Sequence, residues 1–80
     1  MWQVYILQCA DKTLYTGITT DLTRRVDEHN NSALGARYTR ARRPVHLVYA
    51  RNFIDRSLAA KEERRIKRLS KREKLILINA

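Results

Sequence analysis

Residues 2–19, WQVYILQCADKTLYTGIT, decide the fold of this chain. Apolar or aromatic side chains fill both alternating sets of positions at the start of the stretch. One set is Trp2, Val4 and Ile6, and the other is Tyr5, Leu7 and Cys9. Because successive side chains of a strand point to opposite faces, this pattern predicts an internal strand over 2–9 that is covered on both sides. Residues 14–19 are rich in β-branched and aromatic types and follow a short polar connection, which predicts a β-hairpin.

The segment after the hairpin is predicted to be helical and then irregular. Asp21 is a suitable N-cap for a helix over 22–30, in which Leu22 and Val26 form a short apolar stripe. Residues 31–44 have little apolar periodicity and contain a glycine and the only proline. They indicate a mobile basic loop that could hold one turn of helix.

The second half of the chain again changes from strand to helix. Three apolar residues at alternate positions predict a third strand, namely Val45, Leu47 and Tyr49. Asp55 or Ser57 can cap a helix over 58–69, where apolar residues recur at helical spacing. Ser70 can cap a short closing helix that contains the apolar run 75–78. The order β-β-α-β-α-α predicts an α+β fold, a small three-stranded, mainly antiparallel β-sheet flanked by helices.

Length and composition limit the class of protein. Eighty residues support one hydrophobic core, so we expect a single domain over 1–80. No apolar run reaches the length of a membrane span, and the first residues lack the pattern of a signal peptide. We therefore expect a cytoplasmic protein with no membrane partner. Cys9 is the only cysteine, which excludes an internal disulfide and a cysteine-rich zinc site and indicates a buried strand residue.

The charge of the chain indicates a polyanionic partner. Seventeen Lys and Arg against eight Asp and Glu give a formal net charge of +9, and such an excess is typical of contact with nucleic acid. Four arginines crowd the loop before the third strand: Arg37, Arg40, Arg42 and Arg43. A second basic run follows in the C-terminal part: Arg64, Arg65, Lys67, Arg68, Lys71, Arg72 and Lys74. Either run alone could be an ordinary solvated face, but two runs of one sign favour phosphate binding.

Two short motifs in the hairpin carry a resemblance to a known family. The first strand holds Gln3-Val4-Tyr5, and the second holds Tyr15-Thr16-Gly17. In these motifs the chain resembles the GIY-YIG nuclease superfamily, and its small single-domain bacterial members in particular. Gln3-Val4 departs from the Gly and Ile of the first family motif, and Thr16 replaces the central aliphatic residue of the second. Neither position supplies a reactive group, so the resemblance still implies a catalytic site.

The resemblance extends along the chain and implies further site residues. It implies two tyrosines, an arginine ten positions after the second, a histidine four positions later, and a glutamate on a later helix before an apolar residue and a lysine. Here these are Tyr5, Tyr15, Arg25, His29 and Glu63, with Ile66 and Lys67 completing the last spacing. It also implies one divalent metal ion, Mg²⁺ or Mn²⁺, bound by Glu63. Tyr38 is implied to orient the site, and Asn79 lies where the family often has an asparagine near the end of the domain.

The spacing of Arg25 selects it without the family. At about 100° per residue, Arg25 and His29 lie beside the apolar stripe of the first helix, whereas Arg24 points the other way. A guanidinium at the edge of the core can bind phosphate with two prongs and stabilise charge in a transition state. The alternative is an ordinary surface arginine.

The choice of the metal ligand rests on two adjacent glutamates. On the helical wheel Glu62 lies near the middle of the apolar stripe and Glu63 at its margin, so burial alone would select Glu62. We favour Glu63 because a single carboxylate that holds Mg²⁺ together with water must meet a solvent-open phosphate. Alternatively, both glutamates only pair with basic neighbours on the helix.

The tyrosines, the histidine and the glycine leave their roles open. Tyr5 or Tyr15 could take the proton from water, and the sequence does not assign which. His29 could shuttle a proton or support a tyrosine by a hydrogen bond. Gly17 could allow backbone or phosphate to approach closely, or it could only kink the end of a strand.

Together these residues predict a metal-dependent endonuclease that hydrolyses DNA phosphodiester bonds in DNA repair or processing, without a small-molecule cofactor. Single-stranded or branched DNA is favoured, because an 80-residue chain has no obvious element to read a duplex sequence. One alternative is an inactive DNA- or RNA-binding module, and another is a protein-interaction domain. Oligomeric state is left open.

Overall fold

The structure, a computed structural model, describes all of residues 1–80. Its elements are β1 (Trp2–Gln8), β2 (Leu14–Thr19), α1 (Leu22–Asn31), α2 (Arg37–Arg40), β3 (His46–Phe53), α3 (Arg56–Lys67) and α4 (Lys71–Ile78). The sheet order is β2-β1-β3, and β1 pairs antiparallel with both neighbours. The predicted α+β class, the hairpin and the internal position of the first strand are confirmed.

Polar caps determine where the long helices begin. The Asp21 carboxylate accepts the Arg24 amide at 3.1 Å at the start of α1. The Asp55 carboxylate accepts the Leu58 amide at 2.9 Å, so Asp55 and not Ser57 caps α3. Ser70 begins α4 with a capping box. Each cap satisfies amide groups that have no partner inside the helix.

The third strand differs from its predicted extent, since β3 begins at His46 and Val45 lies just before it. β3 continues to Phe53, four residues beyond the last apolar position that indicated it. Arg51 and Asn52 hide this continuation, because an edge strand tolerates exposed polar residues on its outer face. The loop before β3 holds the short helix α2, in agreement with the expected single turn.

The alternation of β1 divides the interior into two faces. On the α3 face, Val4 and Ile6 pack against the buried helix residues Ala59 and Ile66. On the α1 face, which α1 covers, the buried residues are Tyr5, Leu7, Cys9 and Val45. Leu22 and Val26 of α1 pack against this second group. None of the helices combines the length and apolar character that crossing a membrane requires.

Candidate active site

The side chain of Tyr5 lies over a glycine of the edge strand β2. Tyr5 pairs with Gly17 in the β1–β2 ladder, and a Cβ placed on Gly17 would lie 2.5 Å from the Tyr5 hydroxyl oxygen. That separation is well inside van der Waals contact, so any other residue would displace the phenol. The close approach at Gly17 is therefore made by the phenol of Tyr5, and the glycine has no positive φ angle.

A buried chain of hydrogen bonds begins at the Tyr5 hydroxyl. This hydroxyl lies 2.8 Å from Nε2 of His29, and Nδ1 of His29 lies 2.8 Å from the Thr39 hydroxyl. The Thr39 hydroxyl donates to the Ala36 carbonyl at 2.9 Å. Its oxygen can therefore accept a proton from Nδ1, which leaves Nε2 to accept the proton of Tyr5. The Ala36 amide is farther from Nδ1, at 3.4 Å, and is the weaker competitor for that nitrogen.

Burial and neighbouring charges determine the protonation states of Tyr5 and His29. Burial, assisted by the charge of Arg25, lowers the pKa of His29 to about 4, so the ring is neutral at pH 7. Burial raises the pKa of Tyr5 to about 12. The Arg25 guanidinium opposes this rise, whereas Tyr15 and the Glu63 carboxylate add to it. The pKa of Tyr5 therefore responds to the charges of Arg25 and Glu63.

Arg25 is held at the edge of the site by one nitrogen. Its Nη1 donates to the Glu28 carboxylate at 3.0 Å and to the Leu34 carbonyl at 2.8 Å. The side chain is 26% exposed. The helix α1 thus places Arg25 at the edge of the core, as the helical wheel predicts, while Arg24 is exposed.

Tyr15 and Tyr38 extend the site toward solvent. Their rings stack with centroids 6.1 Å apart, and the Tyr15 ring meets the edge of the His29 ring at 5.2 Å. The Arg42 guanidinium lies 3.9 Å from the centre of the Tyr38 ring. Arg42 also donates to the Asp11 carboxylate at 3.1 Å, which ties the hairpin turn to this aromatic pair.

The two adjacent glutamates of α3 have different surroundings. Glu62 accepts two hydrogen bonds of 2.7 Å from Arg65 and lies 3.7 Å from Arg51. Its side chain is 11% exposed, compared with 20% for Glu63. Glu63 pairs with Lys67 at 3.3 Å and acts on the pKa of Tyr5. The more buried glutamate is thus paired with two arginines, whereas Glu63 is paired with one lysine.

The four arginines of the basic loop separate into two pairs. Arg37 and Arg40 are exposed on α2. Arg42 is used by Tyr38 and Asp11, as described above. Arg43 donates to the backbone carbonyls of Glu28, His29 and Ser32 and so binds the C-terminal end of α1. A cation at this helix end is also favoured by the helix dipole.

Asn79 lies outside the site residues described so far. Its amide nitrogen donates to the Leu75 carbonyl at 2.8 Å, and the residue is the C-cap of α4. No hydrogen bond joins its side chain to Tyr5, His29 or Arg25.

Several residues that hold the site were not selected from the sequence. The Thr39 hydroxyl is hydrogen-bonded to Nδ1 of His29. Asn30 makes two hydrogen bonds to the backbone of Val45, at 2.9 and 2.7 Å. These bonds join positions 10 and 15 residues apart. No local spacing signals such pairs. In the sequence, the one indication of these bonds is that His29 and Asn30 are polar residues close to the apolar stripe of α1.

Comparison with known proteins places the whole chain in one group. The family model described as the GIY-YIG catalytic domain matches residues 1–75. The UPF0213 protein of Desulfotalea psychrophila is 62% identical over 79 residues, which cover 99% of this chain and 72% of that protein. The UPF0213 protein of Syntrophus aciditrophicus is 51% identical over 75 residues, covering 94% and 86%. The solution NMR structure of a UPF0213 protein from Bacillus halodurans superposes with a TM-score of 0.63 at 44% identity, covering 99% and 84%.

Proposed function

The chain belongs to the GIY-YIG catalytic domain family, a family of nucleases, and on that premise we propose that it is a metal-dependent endonuclease that hydrolyses DNA phosphodiester bonds. One observation carries the proposal: Tyr5 is hydrogen-bonded to His29 at 2.8 Å, and Tyr15 packs against the same ring at 5.2 Å, so the two motif tyrosines lie in one site. The charges of Arg25 and Glu63 act on the pKa of Tyr5. Phosphodiester hydrolysis needs a cation at the phosphate, a group that activates water and stabilisation of the charge that develops. We treat residues 1–80 as the catalytic domain and expect it to act in the cytoplasm.

The donor set fits a hard divalent cation. No group of three or more His, Cys, Asp or Glu side chains is arranged to hold a metal ion, so Glu63 would act as a single carboxylate ligand. Mg²⁺ is commonly bound by one or two carboxylates, with water and substrate phosphate completing its shell. When bound, Mg²⁺ or Mn²⁺ supplies positive charge at the phosphate oxygens. Glu62 is the poorer ligand because Arg65 and Arg51 already neutralise it.

Arg25 is assigned to the phosphate. Glu28 and the Leu34 carbonyl accept hydrogen bonds from Nη1, and the guanidinium also interacts with the Tyr5 hydroxyl. A guanidinium has five N–H donors, so donors remain for a substrate oxygen. A donor held in place before the reaction stabilises developing negative charge without reorganisation. This geometry supports the role that the helical wheel indicated for Arg25.

The structure distinguishes the environments of the two tyrosines. Tyr5 is 1% exposed and its hydroxyl is hydrogen-bonded to neutral His29, with a pKa of about 12. These conditions suit a positioning residue that stays protonated. Tyr15 is half-buried and lies in the aromatic stack that reaches solvent. We therefore assign water activation to Tyr15 and assign His29 to the support of Tyr5.

Nucleic-acid contacts are assigned to the exposed cations around this site. Arg37 and Arg40 of α2 are exposed and can meet phosphate. Arg42 acts through Tyr38, whereas the Arg43 guanidinium binds the backbone carbonyls at the end of α1 and is not available to nucleic acid. Asn79, at the end of α4, is proposed only as a peripheral contact to nucleic acid. Single-stranded or branched DNA remains the proposed substrate, since exposed cations of this kind can follow the backbone of an unpaired strand.

The substrate assay tests this function. Purified protein is incubated with end-labelled single-stranded, duplex, flap and junction DNA, with Mg²⁺, with Mn²⁺ or with EDTA, and with the corresponding RNA strand. We expect cleavage only with metal, fastest for the single-stranded or branched DNA. Binding without cleavage on every substrate would identify an inactive nucleic-acid-binding module instead. Absence of both binding and cleavage would indicate a protein-interaction domain.

A further inference from the structure

A second basic surface lies on α3, away from the tyrosines. A groove between β3 and α3 has an apolar floor, formed by Phe53, Leu58 and Leu69. Cationic side chains surround this floor: Arg51, Lys61, Arg64, Arg65 and Arg68. The only acidic residue of the groove is Glu62. Counting formal charges, the groove keeps a net charge of about +4, so it attracts anions over a distance of roughly 8–10 Å in physiological salt.

The cations of α3 form one stripe along the helix. Lys61, Arg64, Arg65 and Arg68 are spaced i, i+3, i+4 and i+7 and all are exposed. Residues at this spacing share a helix face. Only Arg65 makes an ion pair, with Glu62. The other three have no acidic partner, so their charges are available to a ligand.

The stripe and the catalytic residues use different sides of the same helix. At about 100° per residue, Glu63 lies roughly 150° around α3 from the centre of the stripe. A helix with its side chains is about 10–12 Å across. A strand in the groove therefore passes well away from Glu63, and it is a second segment of nucleic acid or a distant part of the same one.

The chemistry of the groove matches a nucleic-acid strand. Its cations can contact successive phosphates, and its apolar floor can receive a sugar or a base. The Arg51 guanidinium lies 5.1 Å from the centre of the Phe53 ring, and planar groups of this kind stack with bases. An acidic peptide would use the cations but would leave the exposed apolar side chain of Leu58 without a sugar or base to cover it.

We propose that the groove between β3 and α3 is a second nucleic-acid site, which binds the phosphate backbone of a strand segment other than the one at the catalytic residues. The inference rests on the proposed nuclease function for its biological sense. A nuclease with two such tracks on opposite sides of α3 can hold both arms of a branched substrate. The site thereby gives a physical basis for a preference for branched DNA.

The test is a salt titration of binding without metal, so that cleavage plays no part. A fluorescein-labelled single-stranded oligodeoxynucleotide is titrated with protein in EDTA at several NaCl concentrations, and the affinity is followed by anisotropy. The variant is Lys61→Gln/Arg68→Gln, which changes two exposed side chains. We expect the slope of log affinity against log salt to flatten by about 1.4, because each lost contact with a single strand removes about 0.7.

A matched control removes the same charge elsewhere. Lys71→Gln/Arg72→Gln changes two exposed cations at the start of α4, outside the groove. It should flatten the slope by less than half as much as the groove variant. Equal flattening by both variants would show a general charge effect and overturn the proposal, as would a wild-type slope in the groove variant.

Two further outcomes separate this proposal from general binding of acidic chains and from the proposed nuclease function. If polyglutamate displaces the oligonucleotide from the wild type as effectively as unlabelled DNA does, the groove binds acidic chains in general and the proposal fails. If the wild type cleaves no substrate but the groove variant alone loses salt-dependent binding, the groove is supported and the nuclease function fails. Cleavage by the wild type together with an unchanged slope in the groove variant would support the nuclease function and overturn the groove proposal.

Discussion

The two faces of the sheet are built from the same central strand but differ in chemistry. On the α3 face, Val4 and Ile6 meet Ala59 and Ile66, and all four side chains are fully buried and apolar. On the α1 face the same strand supplies Tyr5, whose hydroxyl continues into His29 and Thr39. Successive residues of β1 therefore contribute alternately to the apolar core on the α3 face and to the candidate site on the α1 face.

The polar face stays stable because its groups satisfy one another. A buried polar group without a partner costs about 1–3 kcal/mol, and His29 and Thr39 are both completely buried. Each has its hydrogen bonds inside the chain that begins at Tyr5. This arrangement holds the tyrosine in one position before any substrate arrives, which is the condition for efficient catalysis.

A large effect on turnover is expected at Arg25. Arg25→Lys keeps the charge but loses the planar two-pronged donor, so turnover should fall nearly as far as in Arg25→Ala. Loss of one preorganised donor typically costs on the order of 10²–10³ in rate. Single-turnover cleavage of labelled DNA measures this loss, and the melting temperature shows whether the fold survives.

Two controls bracket the Arg25 result. Arg24→Ala, on the exposed side of α1, should leave turnover close to normal. Ile66→Ala on the α3 face should do the opposite of Arg25→Lys, with a loss of about 2–5 kcal/mol in unfolding free energy and normal turnover of the folded fraction. Equal rate losses at Arg24 and Arg25, or normal turnover in Arg25→Lys, would remove the catalytic role of Arg25.

A smaller effect on turnover is expected from Gly17→Ala. The added Cβ would meet the Tyr5 hydroxyl oxygen at 2.5 Å, so the phenol must shift by a fraction of an ångström or more. Misplacement by about 1 Å can cost roughly 10²-fold in rate, and overpacking costs about 1–3 kcal/mol of stability. We expect a rate loss of about 10- to 10²-fold, measured well below the melting temperature.

The neighbouring residue supplies the matched control. Thr16 lies beside Gly17 on β2, pairs with Ile6 and so faces the α3 side, with a buried hydroxyl that has no hydrogen-bond partner. Thr16→Val should raise stability, by about 1 kcal/mol or more, because it removes an unsatisfied polar group, and should leave turnover unchanged. Normal turnover in Gly17→Ala would show that the position of Tyr5 does not matter for the reaction.

Local patterns were enough to predict most of the fold. The alternation in β1, the polar caps at Asp21 and Ser70 and the apolar stripe of α1 all depend on neighbours within a few residues, and the structure confirms each. The end of β3 was missed because its polar residues lie on an exposed edge strand. Apolar periodicity cannot register such residues.

The site was only partly predictable for a related reason. The helical wheel could place Arg25 at the margin of the core, but it could not distinguish the surroundings of Glu62 and Glu63. Arg65 and Lys67 are local partners of the two glutamates, but Arg51, which also approaches Glu62, is distant in sequence. The internal role of Arg43 likewise depends on carbonyls 11 to 15 residues away. Charge counts cannot separate such a residue from a free surface arginine.

The account depends most directly on Glu63, and the measurement that tests it is Mg²⁺-dependent cleavage by Glu63→Gln compared with Glu62→Gln. Both substitutions remove one carboxylate from adjacent positions of α3. The account predicts that Glu63→Gln abolishes cleavage while DNA affinity in EDTA and the melting temperature stay near those of the wild type. It predicts that Glu62→Gln keeps turnover and only weakens the pairing with Arg65. Full activity in Glu63→Gln, with loss in Glu62→Gln, would contradict the assignment of the metal site.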